Sequence, residues 1–321
     1  MAAGLSEHSN SRGRKRGSKS PVGAQVRAAA AQAAWAVDNG RNLEDALAEA
    51  IIPERDLALL REMTTGTVRH RSRLNAVLDA LMDRPLPPKA GLLRALLRVD
   101  IYQLAQMRLP PHAAVHATVE ACVLIDARHA RGLANAILRR YQREGEPTLP
   151  SSPAILHSHP EWMVRRLQQD WPAPAQWEAL LQANNQRAPM TLRVATDRLQ
   201  RDACLEQLAA ADIEASAHPQ LATAITLLTP RAVTDIPGFA EGSLSVQDAA
   251  AQCAAELLAP EAGERVLDAC AAPGGKTGHL LESCPGIDLT AIDSDGLRLQ
   301  RVQENLQRLG RNATLIEADA T

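Results

Sequence analysis

An apolar run, Val266-Leu267-Asp268-Ala269-Cys270, passes into Ala271-Ala272-Pro273-Gly274-Gly275 and then Lys276-Thr277. A short apolar run ended by a Pro-Gly-Gly break predicts a strand, a tight turn and the start of a helix. The flanking residues repeat the pattern. Residues 247–258 read as a helix, 265–270 as a strand, and a helix follows from about Lys276. A second strand covers 289–293, a long helix 295–309 and a third strand 313–319. That β-α-β-α-β order requires a parallel, doubly wound sheet.

A strand that runs into a Gly-rich turn and a helix is built to hold a ligand. Glycine lets the backbone come close, and the helix N-terminus offers unpaired N–H groups. Three ligands compete. A P-loop needs glycine five residues before Gly275-Lys276-Thr277, where Cys270 stands; the dinucleotide fingerprint needs glycine at Pro273. S-adenosyl-L-methionine fits better. Asp268, Asp293 and Asp319 fall at the ends of three successive strands, where open α/β sheets bind ligands. Acidic residues suit a cationic sulfonium better than a pyrophosphate. Any one of them alone could be a helix cap or turn residue.

Upstream the period changes. Leu74, Val77, Leu78 and Leu81 follow a helical stripe, as do Leu92, Leu93, Leu96, Leu97, Ile101 and Leu104. Val115, Val119, Cys122 and Ile125 form a third stripe, and Leu133, Ile137, Leu138 and Tyr141 a fourth. Pro85, Pro87 and Pro88, then Pro110 and Pro111, break them. The expected organisation is a disordered basic tail (1–20), an all-α domain of six or seven helices (21–143) and a polar linker (144–152). An α+β subdomain (153–240) comes next, with strands at 190–194 and 224–228 and a helix at 201–210. The parallel-sheet domain (241–321) is last.

Charge follows these divisions. The chain has 35 basic and 37 acidic side chains, a net −2 that argues against a nucleic-acid partner. Residues 1–143, however, hold 22 basic and 13 acidic groups, whereas 144–321 hold 13 and 24. Such asymmetry marks a nucleic-acid-facing part. Its candidates are Arg69, Arg71 and Arg73, beside Arg94 and Arg98, and the pair Arg139 and Arg140 with Arg143. Arg12, Arg14, Lys15, Arg16 and Lys19 in the tail add non-specific attraction to phosphates. The seven aromatic residues are too scattered for a base-stacking sheet. No run is apolar enough to span a membrane, and no secretory signal opens the chain. Five scattered cysteines fit a reducing cytoplasm. His70, His112 and His116 have no ligand-spaced partner, so no metal is expected.

Asp268-Ala-Cys-Ala-Ala-Pro-Gly-Gly-Lys-Thr277 resembles the cofactor motif of RNA cytosine-C5 methyltransferases. Ile236-Pro-Gly-Phe-Ala-Glu-Gly242, Ser245-Val-Gln-Asp-Ala249, His159-Pro-Glu-Trp162 and residues 184–194 are similar to that family's preceding segments. Gly66-Thr-Val-Arg69, Leu97-Arg-Val-Asp-Ile-Tyr-Gln-Leu104 and Leu133-Ala-Asn-Ala-Ile-Leu-Arg139 resemble a NusB-like RNA-binding domain. In that order the three parts resemble the bacterial 16S rRNA methyltransferases of the RsmB (Sun, Fmu) type. The resemblance implies a Rossmann-like class I methyltransferase fold, 16S rRNA as partner, and cofactor contacts from Cys270, Ala271, Ala272, Pro273, Gly274, Gly275, Lys276, Asp293 and Asp319. It also implies a cysteine nucleophile that adds to cytosine C6 and activates C5. The family's Pro-Cys and Thr-Cys contexts do not occur here. Cys122, Cys204 and Cys253 sit on helices, Cys284 at a helix end and Cys270 in the turn. The expectation is therefore a chain carrying the first three strands of the catalytic sheet, with the nucleophile beyond Thr321 and no methyl transfer of its own. A binding-only NusB-like protein and a tRNA-directed enzyme are the alternatives.

Overall fold

The computed structural model describes residues 23–107 and 110–321. The basic tail, with its five cationic side chains, lies outside the described residues. Two units emerge from the chain's own contacts, one ending at Gln186 and one beginning at Arg187.

The first unit is helical. Seven helices fill its larger part: α1 (Ala24–Asp38), α2 (Leu43–Ala48), α3 (Leu57–Arg69), α4 (Arg71–Ala80), α5 (Gly91–Gln106), α6 (Pro111–Leu124) and α7 (Arg131–Glu144). Helix α1 is rich in alanine, and Ala24, Ala28, Ala30, Ala31 and Ala34 are buried. Small side chains all round let α3, α5 and α6 approach it closely. The expected stripes face this core: Leu74, Val77, Leu78, Leu96, Leu97, Ile101, Ile137 and Leu138 are each no more than 4% exposed. Leu133 departs from its stripe and is 44% exposed. Pro111 does not stand between helices but opens α6, where its missing N–H is no loss. Helices α8 (Pro153–Leu156), α9 (Glu161–Asp170) and α10 (Pro174–Asn185) complete the unit around Val164, Trp177 and Leu181.

The second unit holds two sheets. The first is antiparallel, in the order β2-β3-β1-β4, from β1 (Met190–Val194), β2 (Ala215–Ala217), β3 (Ala224–Leu227) and β4 (Leu244–Val246). Helix α11 (Arg201–Ala210) packs on it through Cys204 and Leu208. Strands β2 and β4 have three residues each and escape a search for alternating polarity. Helix α12 (Ala249–Leu258) follows, capped by Asp248.

The second sheet is parallel, in the order β5-β6-β7: β5 (Arg265–Asp268), β6 (Asp288–Asp293) and β7 (Thr314–Glu317). Its crossovers are α13 (Gly275–Ser283) and α14 (Gly296–Leu309). Asp295, expected as the first residue of α14, is instead its cap, accepting from the N–H groups of Leu297 and Arg298 at 2.9 and 3.1 Å. Val302, Leu306 and Leu309 bury one face of α14. Strand β5 is an outer strand, with Leu267 60% exposed.

Candidate functional site

The turn after β5 is held from three sides. Ala271 N–H donates to Ile292 O on β6 at 3.0 Å. Ala272, joined to Pro273 by a cis peptide, gives its N–H to Asp293 Oδ2 at 3.1 Å. The Gly274 carbonyl accepts from Asn305 Nδ2 on α14 at 3.2 Å. Gly274 has φ +93°, and a Cβ there would meet Val302 at 3.2 Å. Both the left-handed backbone and the close approach require glycine. Gly274 is also the cap of α13 and has no side chain to offer, so no side-chain acceptor meets the first-turn amides. Those amides form an open anion seat at the C-terminal end of the sheet.

The three expected acids behave differently. Asp268 is locked by the Thr277 hydroxyl, which donates to its Oδ2 at 2.7 Å. Asp293 is 5% exposed, and its other oxygen accepts from Asp295 N–H at 3.2 Å. Arg298 lies 3.5 Å from the same carboxylate. Asp319 is exposed and turns back on the chain, accepting from Thr321 N–H at 3.0 Å and from the Thr321 hydroxyl at 2.8 Å. Strand β7 stops at Glu317, two residues short of Asp319. Register places Glu317, not Asp319, opposite Asp293. Of the motif residues, Ala271 and Gly274 are buried, whereas Cys270, Pro273 and Lys276 face solvent. Sequence reasoning missed Asn305 and Arg298, and it placed Thr277 in the motif without its bond to Asp268. Only their spacing on the two helices signals them.

The structure also locates the thiols. Burial pushes Cys122 and Cys204 up to about 11. Cys253 donates to Ala249 O within its own helix at 3.7 Å, and Cys284 ends α13. Cys270 is the exposed one, inside the turn.

His279, on α13 behind the turn, is 3% exposed. Desolvation first, and the nearby Arg193 cation second, lower its pKa to about 4 from 6.5. The unfolded chain therefore binds this proton more readily. The resulting stability is complete above about pH 6.5 and falls by up to about 3 kcal/mol as pH drops through 4. His279→Gln keeps the shape without the titration. Its melting temperature should fall less than the wild type's between pH 7 and 4.5; equal slopes would refute the assignment.

The basic residues of the helical unit are largely committed internally. Arg98, expected beside the surface cluster, is 2% exposed and bonded to Asp38. Asp38 also pairs with Arg71 at 3.3 Å. Arg73 reaches Glu146 at 2.8 Å and the Leu156 carbonyl at 3.0 Å. Arg140 is shared between Glu144 and the Leu81 carbonyl, and Arg139 contacts His112 and Gln142. Arg69 has no ion pair among the described residues. Outside the first 22 positions, residues 23–143 carry 17 basic and 12 acidic groups, so the positive excess is modest. Among the described residues, no group of side chains could hold a metal ion, and no helix is long and apolar enough to cross a membrane.

Comparison with known proteins gives these sites a context. Residues 24–143 match the NusB family, and 159–234 match the ferredoxin-like domain of RsmF/B-like methyltransferases. Residues 255–321 match the 16S rRNA methyltransferase RsmB/F family. Ribosomal RNA small subunit methyltransferase B of Vibrio cholerae is 47% identical over 304 residues, spanning 92% of this chain and 69% of that protein. The protein of the same name from Klebsiella pneumoniae strain 342 is 42% identical over 299 residues, with the same coverage. The solved structure of PH0851 shares the fold, with a TM-score of 0.71 at 19% identity over 92% of this chain and 70% of that one.

Proposed function

Because the chain belongs to the RsmB/F family of 16S rRNA methyltransferases, we propose that its parallel sheet binds S-adenosylmethionine for methylation of cytosine C5 in 16S rRNA. The observation that carries this reading is the uncapped first turn of α13 beside the buried Asp293 carboxylate. Residues 270–276 would wrap the donor's amino-acid end, with its carboxylate on the open amides. Asp293 would take the ribose hydroxyls. Asp319, implied as a cofactor contact, would reach the adenine, and Glu317 stands beside it as the acid in register with Asp293. The bound donor would supply an electrophilic methyl carbon. A sheet domain in the class I methyltransferase manner, residues 241–321, is part of the same proposal. So are the boundaries at 21–143 for RNA binding, 144–152 for the linker and 153–240 for the subdomain.

RNA contact falls to Arg69, Arg71, Arg73, Arg139 and Arg140. Among the described residues Arg69 and Arg139 form no ion pair and offer their charge at once; Arg71, Arg73 and Arg140 must exchange a carboxylate for a phosphate. That exchange sets orientation more than affinity.

Cytosine C5 becomes nucleophilic once a thiolate has added to C6. Cys122 and Cys204 are buried and pushed up, Cys253 is turned into its helix, and Cys284 closes α13. Cys270 is part of the donor-binding turn. We expect the 321-residue chain to bind the donor without transferring its methyl group. Incubation with tritium-labelled donor and unmethylated 16S rRNA tests this, with titration calorimetry of the donor alongside. Label in the RNA would overturn the expectation about the thiols, and absence of donor binding would overturn the assignment of the turn.

A further inference from the structure

We infer that Arg193 is a positioning residue for the donor-binding turn: from the antiparallel sheet it fixes the first peptide of α13. The inference rests on the turn being the donor site. Arg193 lies on β1, between β3 and β4, and is 1% exposed. Its guanidinium spends its donors on α13 and on Gln247, the residue that follows β4. Nε and Nη2 bond the two oxygens of Glu282 on α13 at 2.8 and 2.7 Å. Nη1 bonds Gln247 Oε1 at 2.5 Å and the Gly275 carbonyl at 2.9 Å.

A mere tether between sheet and helix would not need this arrangement. Taking a guanidinium out of water costs several kcal/mol, and apolar packing serves as well or better where only adhesion is required. The Gly275 contact has a different consequence. Its carbonyl shares one planar peptide with the Lys276 N–H, and in a trans peptide the two point in opposite directions. Holding the oxygen from below therefore aims the Lys276 N–H upward, out of the helix start. That amide is one of the unpaired donors of the first turn. Gly278 stands beside the clamp: a Cβ there would only touch Arg193 Nη2, at 3.5 Å, but would collide with Leu309 at 2.6 Å. The planar fork matters as much as the charge, because four acceptor atoms on three residues are met at once. A lysine ammonium could keep Glu282 but could not span Glu282, Gln247 and Gly275 together.

The test uses the full chain with Arg193→Lys and with the charge-free pair Arg193→Met/Glu282→Leu. Calorimetry reads S-adenosylmethionine affinity. Amide exchange reads residues 278–282 of α13 against β1 and β3 in the same molecule. Both variants should bind the donor about tenfold more weakly, the effect of one lost charge-assisted hydrogen bond at the site. Exchange should quicken at 278–282, the hydrogen-bonded amides that follow the open turn, and not in β1 or β3. Wild-type affinity in both variants, or exchange that rises equally in α13 and sheet, would overturn the proposal. Asp293→Ala separates the two layers. If it also binds normally, the donor site itself is misassigned; if it alone loses binding, only the role of Arg193 falls.

Discussion

Asp293→Ala is expected to weaken S-adenosylmethionine binding at least about 100-fold, the combined effect of two lost charge-assisted contacts. The side chain has two tasks. Toward the protein, its oxygens accept from Ala272 N–H and Asp295 N–H and so join the turn to the start of α14. Toward the proposed donor, the carboxylate would accept from the ribose hydroxyls. Alanine removes both and also leaves Arg298 without its carboxylate. Asp293→Asn separates them, because an amide can accept one backbone N–H but meets the second with another donor. It should bind between wild type and alanine, with a smaller drop in melting temperature. Calorimetry and thermal melts on the three proteins decide it. If alanine melts lower but binds normally, Asp293 serves the turn and not the ligand.

The turn was legible because its chemistry is local. Strand, Pro-Gly-Gly and helix start lie within twelve consecutive residues, and each residue type forbids most other conformations. Asp293 was legible for a related reason: strand ends can be read from where an apolar run stops. The same rule misplaced the third acid, since β7 ends at Glu317 and the apolar count ran two residues too far. Arg193, Gln247 and Asn305 were not legible. Arg193 meets Glu282 across 89 positions and Gly275 across 82, and no short-range pattern records such a meeting. Charge counting failed in a similar way in the helical unit. Arg98 and Arg71 look like surface charge until Asp38, 60 and 33 positions earlier, is found between them. Local periodicity located the helices; pairing between distant side chains decided which arginines stay free of a carboxylate.

Gly66→Ala should destabilise the helical unit by about 3 kcal/mol, although alanine is the better helix former by about 1 kcal/mol. The reason lies in the space beside α3. A Cβ at position 66 would stand 1.9 Å from Cζ and 2.3 Å from Oη of Tyr102 on α5, well inside contact distance. Tyr102 cannot swing clear at little cost. It is 5% exposed, its hydroxyl donates to Glu62 at 2.8 Å, and its ring stacks on His70 with centroids 6.0 Å apart. The glycine of one NusB-like segment and the tyrosine of another therefore form one contact, α3 against α5. Tyr102→Leu removes the ring end that the new methyl would strike. The double variant should recover more than about 1 kcal/mol relative to the sum of the single changes, as coupled neighbours do. Denaturant melts of the four proteins measure this directly. Strict additivity would mean that the two helices part freely at this point and that the glycine is there for another reason.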